Sequence, residues 1–182
     1  MKIMKTMMKI ALTLTILLGI TSCEVFDVDV ESTMSGTLEI VVPDGTLKST
    51  SDVFPFNSFT TINPLDDPDV SEYADKIVSV GVDGIIAVVE SVSDGGVMFL
   101  SGSSLTISNE NHTSTYTLTD DWSIEAGTTL NISDLDGFYD DVSEILLEME
   151  TFTVTMTGNS SKSGVDVTIR IDMETVITGN LF

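Results

Sequence analysis

Strict two-residue alternation near the C-terminal end constrains this chain more than any other feature. In Val165–Met173, Val165, Val167, Ile169, Ile171 and Met173 alternate with Asp166, Thr168, Arg170 and Asp172. In Thr151–Thr157, Phe152, Val154 and Met156 face one way and four threonines face the other. A helix turns 100° per residue and scatters such a pattern around its axis; a pleated strand sorts it onto two faces. The turn-forming run Gly158–Gly164 lies between the two segments. They therefore read as a hairpin with one dry face and one wet face.

The same reading extends upstream. Leu38, Ile40 and Val42 share a face in Thr37–Val42. Val78–Val92 is apolar on both faces for much of its length. It reads as one central strand, or as two strands broken at Asp83-Gly84. Asp94-Gly95-Gly96 turns the chain into Val97–Ser108, and Asn109-Glu110-Asn111 turns it into Thr113–Thr119. A further strand falls at Thr128–Ile132. Seven or eight short strands with frequent turns predict an antiparallel β-sandwich of immunoglobulin-like type, with a small antiparallel β-barrel as the alternative.

Two short helices are expected among these strands. Asp67-Pro68 supplies an N-cap acceptor and an N1 proline, followed by Val70, Tyr73, Ala74 and Ile77 at helical spacing. In the second helix Ser133 is the expected N-cap, with Asp136 at N3. Leu135, Phe138, Val142, Ile145, Leu146 and Met149 form its apolar stripe. Residues 35–182 are thus expected to form a single domain, of a size that buries a core without staples.

The N-terminus is organised differently. Residues 1–9 carry Lys2, Lys5 and Lys9, and residues 10–20 are an apolar run. That combination fits a secretory signal over residues 1–22, and the run is too short to span a membrane. It ends in Ile20-Thr21-Ser22-Cys23, where the chain resembles a bacterial lipoprotein precursor. The family pattern is an aliphatic residue, two small residues and a Cys. The resemblance implies cleavage between Ser22 and Cys23 and lipidation of Cys23. Two or more acyl chains on one residue make a stable membrane anchor without a transmembrane helix. Glu24, Asp27, Asp29 and Glu31 follow, so residues 23–34 read as the lipidated Cys and an acidic tether. Val28 and Val30 alternate with these acids, so a first strand is the other reading of the stretch. With Glu rather than Asp after Cys23, the resemblance implies the outer membrane. The whole pattern resembles small cell-envelope lipoproteins of Bacteroidota.

Charge narrows the partners. The chain has 29 Asp and Glu against 7 Lys and Arg, and a net charge of −22. Beyond residue 22 the cations are Lys48, Lys76, Lys162 and Arg170 alone, which leaves −25. No nucleic acid partner is expected, because phosphate contacts need clustered Lys and Arg. One Cys and one His rule out a disulfide framework and multi-Cys or multi-His zinc sites.

Motifs for chemistry are sparse. Asp66, Asp67, Asp69 and Glu72 offer oxygen ligands for Ca²⁺, and the same residues also serve as helix caps and first-turn acids. Asp134–Asp141 with Glu144 fails the EF-hand register: Gly137 at position 6 places Ile132 at position 1 and Ser143 at position 12. His112 lies in a turn, without a Gly-x-Ser-x-Gly elbow. Trp122 follows Asp120-Asp121 and is expected in the core, although an exposed Trp between acids stacks on sugar rings. No catalytic residue and no cofactor is expected. The expected function is a non-catalytic binding or structural module for protein or glycan, held to the membrane through Cys23. A calcium-dependent adhesion domain and an acid-pair hydrolase are the alternatives.

Overall fold

The computed structural model describes residues 27–45 and 53–180. Within them, ten strands form two antiparallel sheets. The first sheet has the order β1 (Asp27–Val42), β10 (Val165–Asn180), β3 (Ile77–Val92) and β8 (Thr129–Ile132). The second is built around β9 (Phe152–Ser160). Strand β2 (Phe54–Ile62) pairs along one side of β9, and β5 (Ser104–Ser108) followed by β6 (Thr113–Thr117) along the other. Strands β4 (Val97–Phe99) and β7 (Trp122–Ile124) extend this sheet where Phe99 meets Ser160. The two sheets remain separate, so the chain is a β-sandwich and not the barrel considered as its alternative.

The alternating residues build the core. Ile169, Ile171 and Met173 of β10 are fully buried, as are Val154 of β9 and Ile107 of β5. An aromatic cluster fills the end beside β4: Phe56 lies 4.3 Å from Phe99, and Trp122 meets Phe99 edge-on at 6.1 Å. Such offset and edge-on pairs suit the ring quadrupoles. Gly158 is a required close approach, because a Cβ there would overlap the Ser103 side chain.

Several expectations need correction. The expected tether enters the sheet at Asp27: Asp27–Met34 pair in register with Asn180–Met173. The strand reading therefore holds for that stretch. Val78–Val92 lies within one strand, and Asp83-Gly84 marks a bulge rather than a break. Glu174 pairs with Gly84 and Thr175 with Val82, which leaves Asp83 as the extra residue. Strand β2 was not anticipated, because Ser58 interrupts its apolar face (Phe54, Phe56, Ile62) and Pro55 reads as a breaker.

The first expected helix is shorter than its pattern, reduced to α1 (Pro68–Ser71) and a 3-10 turn at Ala74–Lys76, and a separate 3-10 turn at Pro64–Asp66 precedes it. Asp67 directly precedes α1, its carbonyl accepting from the Ser71 N–H at 2.9 Å, and Asn63 caps the preceding turn by accepting from the Leu65 N–H at 3.2 Å. Pro68 has no N–H with which to continue that turn. The second helix, α2, spans Phe138–Leu147. Its cap is not Ser133: Asp136 and Gly137 have φ of 55° and 80°, and the helix starts after them. Asp134 accepts from the Tyr139 N–H at 3.0 Å, and Leu135 is exposed ahead of the helix rather than in its stripe.

The open sides of the sandwich are closed by different devices. On one side β1 and β2 run together. Ser58 Oγ donates to the Glu39 carbonyl at 2.6 Å, and Gly36 admits the Ile62 side chain, whose Cδ1 would lie 2.5 Å from any Cβ there. On the other side α2 packs against β3 and β6. Strand β8 pairs only with Ile85–Val88 of β3. Beyond it, side-chain hydroxyls of α2 take over. Ser143 Oγ accepts from the Val82 N–H at 3.2 Å, and Tyr139 Oη accepts from the Ile85 N–H at 3.3 Å while donating to the Ile132 carbonyl at 2.6 Å.

Candidate functional site

Of the four residues expected to offer calcium ligands, the structure describes the side chains of Asp66, Asp67 and Glu72, and these three do not form a metal-holding group. Asp66 lines an open concavity with Asn63 and Pro64, where Asn63 Nδ2 donates to it at 3.1 Å. Asp67 stands between that concavity and a second one lined by Glu31, Asp83 and Glu174, and it accepts from Ser32 Oγ at 2.5 Å. Glu72 is exposed after α1, and the Asp69 side chain lies outside the described residues. Among the described residues, no three Asp, Glu, His or Cys side chains stand together closely enough to hold a metal ion.

The other singled-out residues have structural partners. His112 sits between two carboxylates of the α2 end, with Nδ1 3.4 Å from Glu144 and Nε2 3.6 Å from Glu148. Glu148 also accepts from Asn111 at 2.9 Å and from Asn109, so the β5–β6 turn is held onto α2. Asn109 Oδ1 in turn accepts from the His112 N–H at 2.7 Å. Asp141 accepts from Ser114 Oγ at 3.1 Å. Trp122 is buried in the aromatic cluster, as expected from the core reading, and Tyr116 is buried as well.

The surface without such a ready account is the outer face of the second sheet. Its register aligns three ranks across β9, β5 and β6. They are Thr153–Ser108–Thr113, Thr155–Thr106–Thr115 and Thr157–Ser104–Thr117. All nine positions are Ser or Thr. They are exposed on β6 and half-buried on β9 and β5. Thr106 and Thr115 hydroxyls pair at 3.0 Å, and Ser104 and Thr157 at 3.1 Å. Strand β2 adds Thr61, Phe59 and Asn57 to the same ranks, with Phe59 70 % exposed. No residue of this face ionises.

The outer face of the first sheet is the opposite. Glu39, Asp166, Asp172, Glu174 and Glu90 lie on it. Arg170 bridges Glu90 at 3.1 Å and Asp172 at 2.6 Å. Alternation along Thr151–Thr157 already showed the threonines that β9 contributes, one to each rank. That β5 and β6 set matching hydroxyls beside them depends on long-range register, which no local pattern contains.

No family model and no curated protein matches this chain. Among the described residues no helix is long and apolar enough to cross a membrane. The signal over 1–22, its Ser22-Cys23 cleavage site and the lipidation site Cys23 lie outside the described residues.

Proposed function

We propose that the chain is a lipid-anchored module of the cell envelope, held at the outer membrane through Cys23, that binds or organises a partner without catalysis. The observation that carries the binding part is the uncharged outer face of the second sheet. A chain with 29 acids keeps them off nine adjacent surface positions there. Desolvating hydroxyls costs far less than desolvating carboxylates, so this is the face most readily covered by an extended neutral partner, protein or glycan. The anchor rests on the resemblance of Ile20–Cys23 to the lipoprotein pattern.

Fractionation of cells expressing the full chain and Cys23→Ser tests the anchor. The wild type should sediment with membranes and the variant should be released; a variant that still sediments overturns it. Protease shaving of intact cells, with lysed cells as control, then reports which side of the membrane the domain faces. Retention of the full chain on insoluble cellulose or chitin, with and without Thr155→Lys, tests the face as a contact surface.

A further inference from the structure

One residue in the ranks of that face is neither hydroxyl nor amide. Phe59 is 70 % exposed, the most exposed of the large hydrophobic side chains described. The other described phenylalanines (Phe54, Phe56, Phe99, Phe138 and Phe152) are buried, as are Tyr116 and Trp122. Phe59 pairs with Thr155 of β9, and Asn57 and Thr61 flank it along β2 on the same face. Thr153 and Thr157 stand diagonally from it, within reach of an aromatic side chain. Beyond Asn57 the next pair is Pro55 with Asn159, which puts a second exposed amide at this side of the face. Past β9 the Ser/Thr lattice continues across β5 and β6.

A single exposed ring set among hydroxyls and amides selects among partners. The anchors of a protein interface stand in a contiguous apolar core. The neighbours of Phe59 named above are all polar. A sugar ring offers the complementary pattern. One face of a pyranose is a layer of weakly positive C–H groups, which the negative face of an aromatic ring attracts. Its hydroxyls project around the rim, where Thr hydroxyls and Asn amides can both donate and accept. Charge narrows the sugar further. The face holds no cation for a uronate or a sulfate, and a net charge of −22 repels both. Shape narrows it again. A lone small sugar takes a concave site, whereas an open sheet face suits an extended chain. Equatorial hydroxyls and equatorial linkages keep successive rings flat enough to lie on such a face.

We infer that the outer face of the second sheet binds a neutral β-linked polysaccharide with equatorial ring hydroxyls, and that Phe59 is its stacking platform. The inference rests on the reading of this face as a contact surface. One ring of the glycan lies on Phe59. Asn57 and Thr155 bond to the hydroxyls at the rim of that ring, and the Ser/Thr lattice of β9, β5 and β6 carries the rings that follow.

The test measures binding isotherms of the purified full chain on insoluble cellulose and on chitin. Wild type should be retained on at least one of them. Phe59→Ala should weaken that retention about tenfold, the loss of one central aromatic anchor. Phe59→Trp, which keeps a platform, should retain it. Asn57→Ala should weaken it several-fold. Leu135→Ala, which removes an exposed apolar side chain elsewhere, should leave it unaltered. Matching thermal unfolding curves establish that the variants are folded. Failure of wild type to bind either glycan overturns the inference, as does tighter binding of carboxymethyl cellulose than of hydroxyethyl cellulose. Retention that Thr155→Lys abolishes but Phe59→Ala leaves unaltered also overturns it, while the contact face stands. Retention that neither variant changes removes both.

Discussion

The two closed sides of the sandwich solve one problem with different materials. Where β1 meets β2, closure is a close approach of two strands that share no ladder: Ser58 Oγ donates to the Glu39 carbonyl, and Gly36 lacks a side chain so that Ile62 can fill its place. Where α2 lies against β3 and β6, closure is by side chains: a buried helix face, two hydroxyls that stand in for a missing strand, and Glu148 holding a turn. The first device tolerates no added volume and has little freedom. The second divides into parts that can open separately. The helix side is therefore expected to be the less stable region under native conditions.

The largest effect expected from this contrast is Ile145→Ala, which hollows the fully buried face of α2. It should cost about 3 kcal/mol in urea unfolding. Gly36→Val should come next, at about 2 kcal/mol from overpacking against Ile62, and Gly36→Val with Ile62→Ala should cost less than the sum of the two single changes. Strict additivity would mean that the seam is not packed as described. Tyr139→Phe strands the Ile85 N–H and the Ile132 carbonyl, and should cost about 1–2 kcal/mol with unchanged m-value. Hydrogen exchange should then show the Ile85 amide opening with α2. Glu148→Ala should be smallest in global terms, below about 1 kcal/mol because the group is partly exposed. It should nevertheless speed amide exchange at Asn111 and His112 while leaving β10 unaffected. If β1 and β2 instead exchange faster than α2 in the wild type, the ranking of the two sides is reversed.

Much of this architecture is legible in the chain, for a definable reason. Strands β9 and β10 alternate cleanly because one face of each meets the core and the other meets water. The stripe of α2 is equally readable from Phe138, Val142, Ile145 and Leu146. What fails locally is decided by distant partners. Ser58 sits on the buried face of β2, where its hydroxyl bonds to the Glu39 carbonyl of β1, so no hydrophobicity pattern announces that strand. Ser133 has the composition of a cap but loses the role to the positive-φ pair Asp136-Gly137. The acids Asp66 and Asp67 line one concavity, yet Asp67 also bonds across to Ser32 of β1 and borders a second, which adjacency in sequence does not reveal. The Ser/Thr lattice is the extreme case: each rank takes one residue from each of three strands, and only register makes it a rank.

The β1–β2 seam bears on how copies of the chain can crowd together on a surface. Long strand edges template fibre growth between neighbouring molecules, and crowding on a membrane raises the encounter rate of such edges. Here β2 covers part of the 16-residue edge of β1, around Gly36 and Glu39, the outer part of that strand carries Asp27, Asp29 and Glu31, and β7 and β8, among the described strands, are three and four residues long. A dense layer of this protein would thus stay a layer of separate molecules, held apart further by their common negative charge.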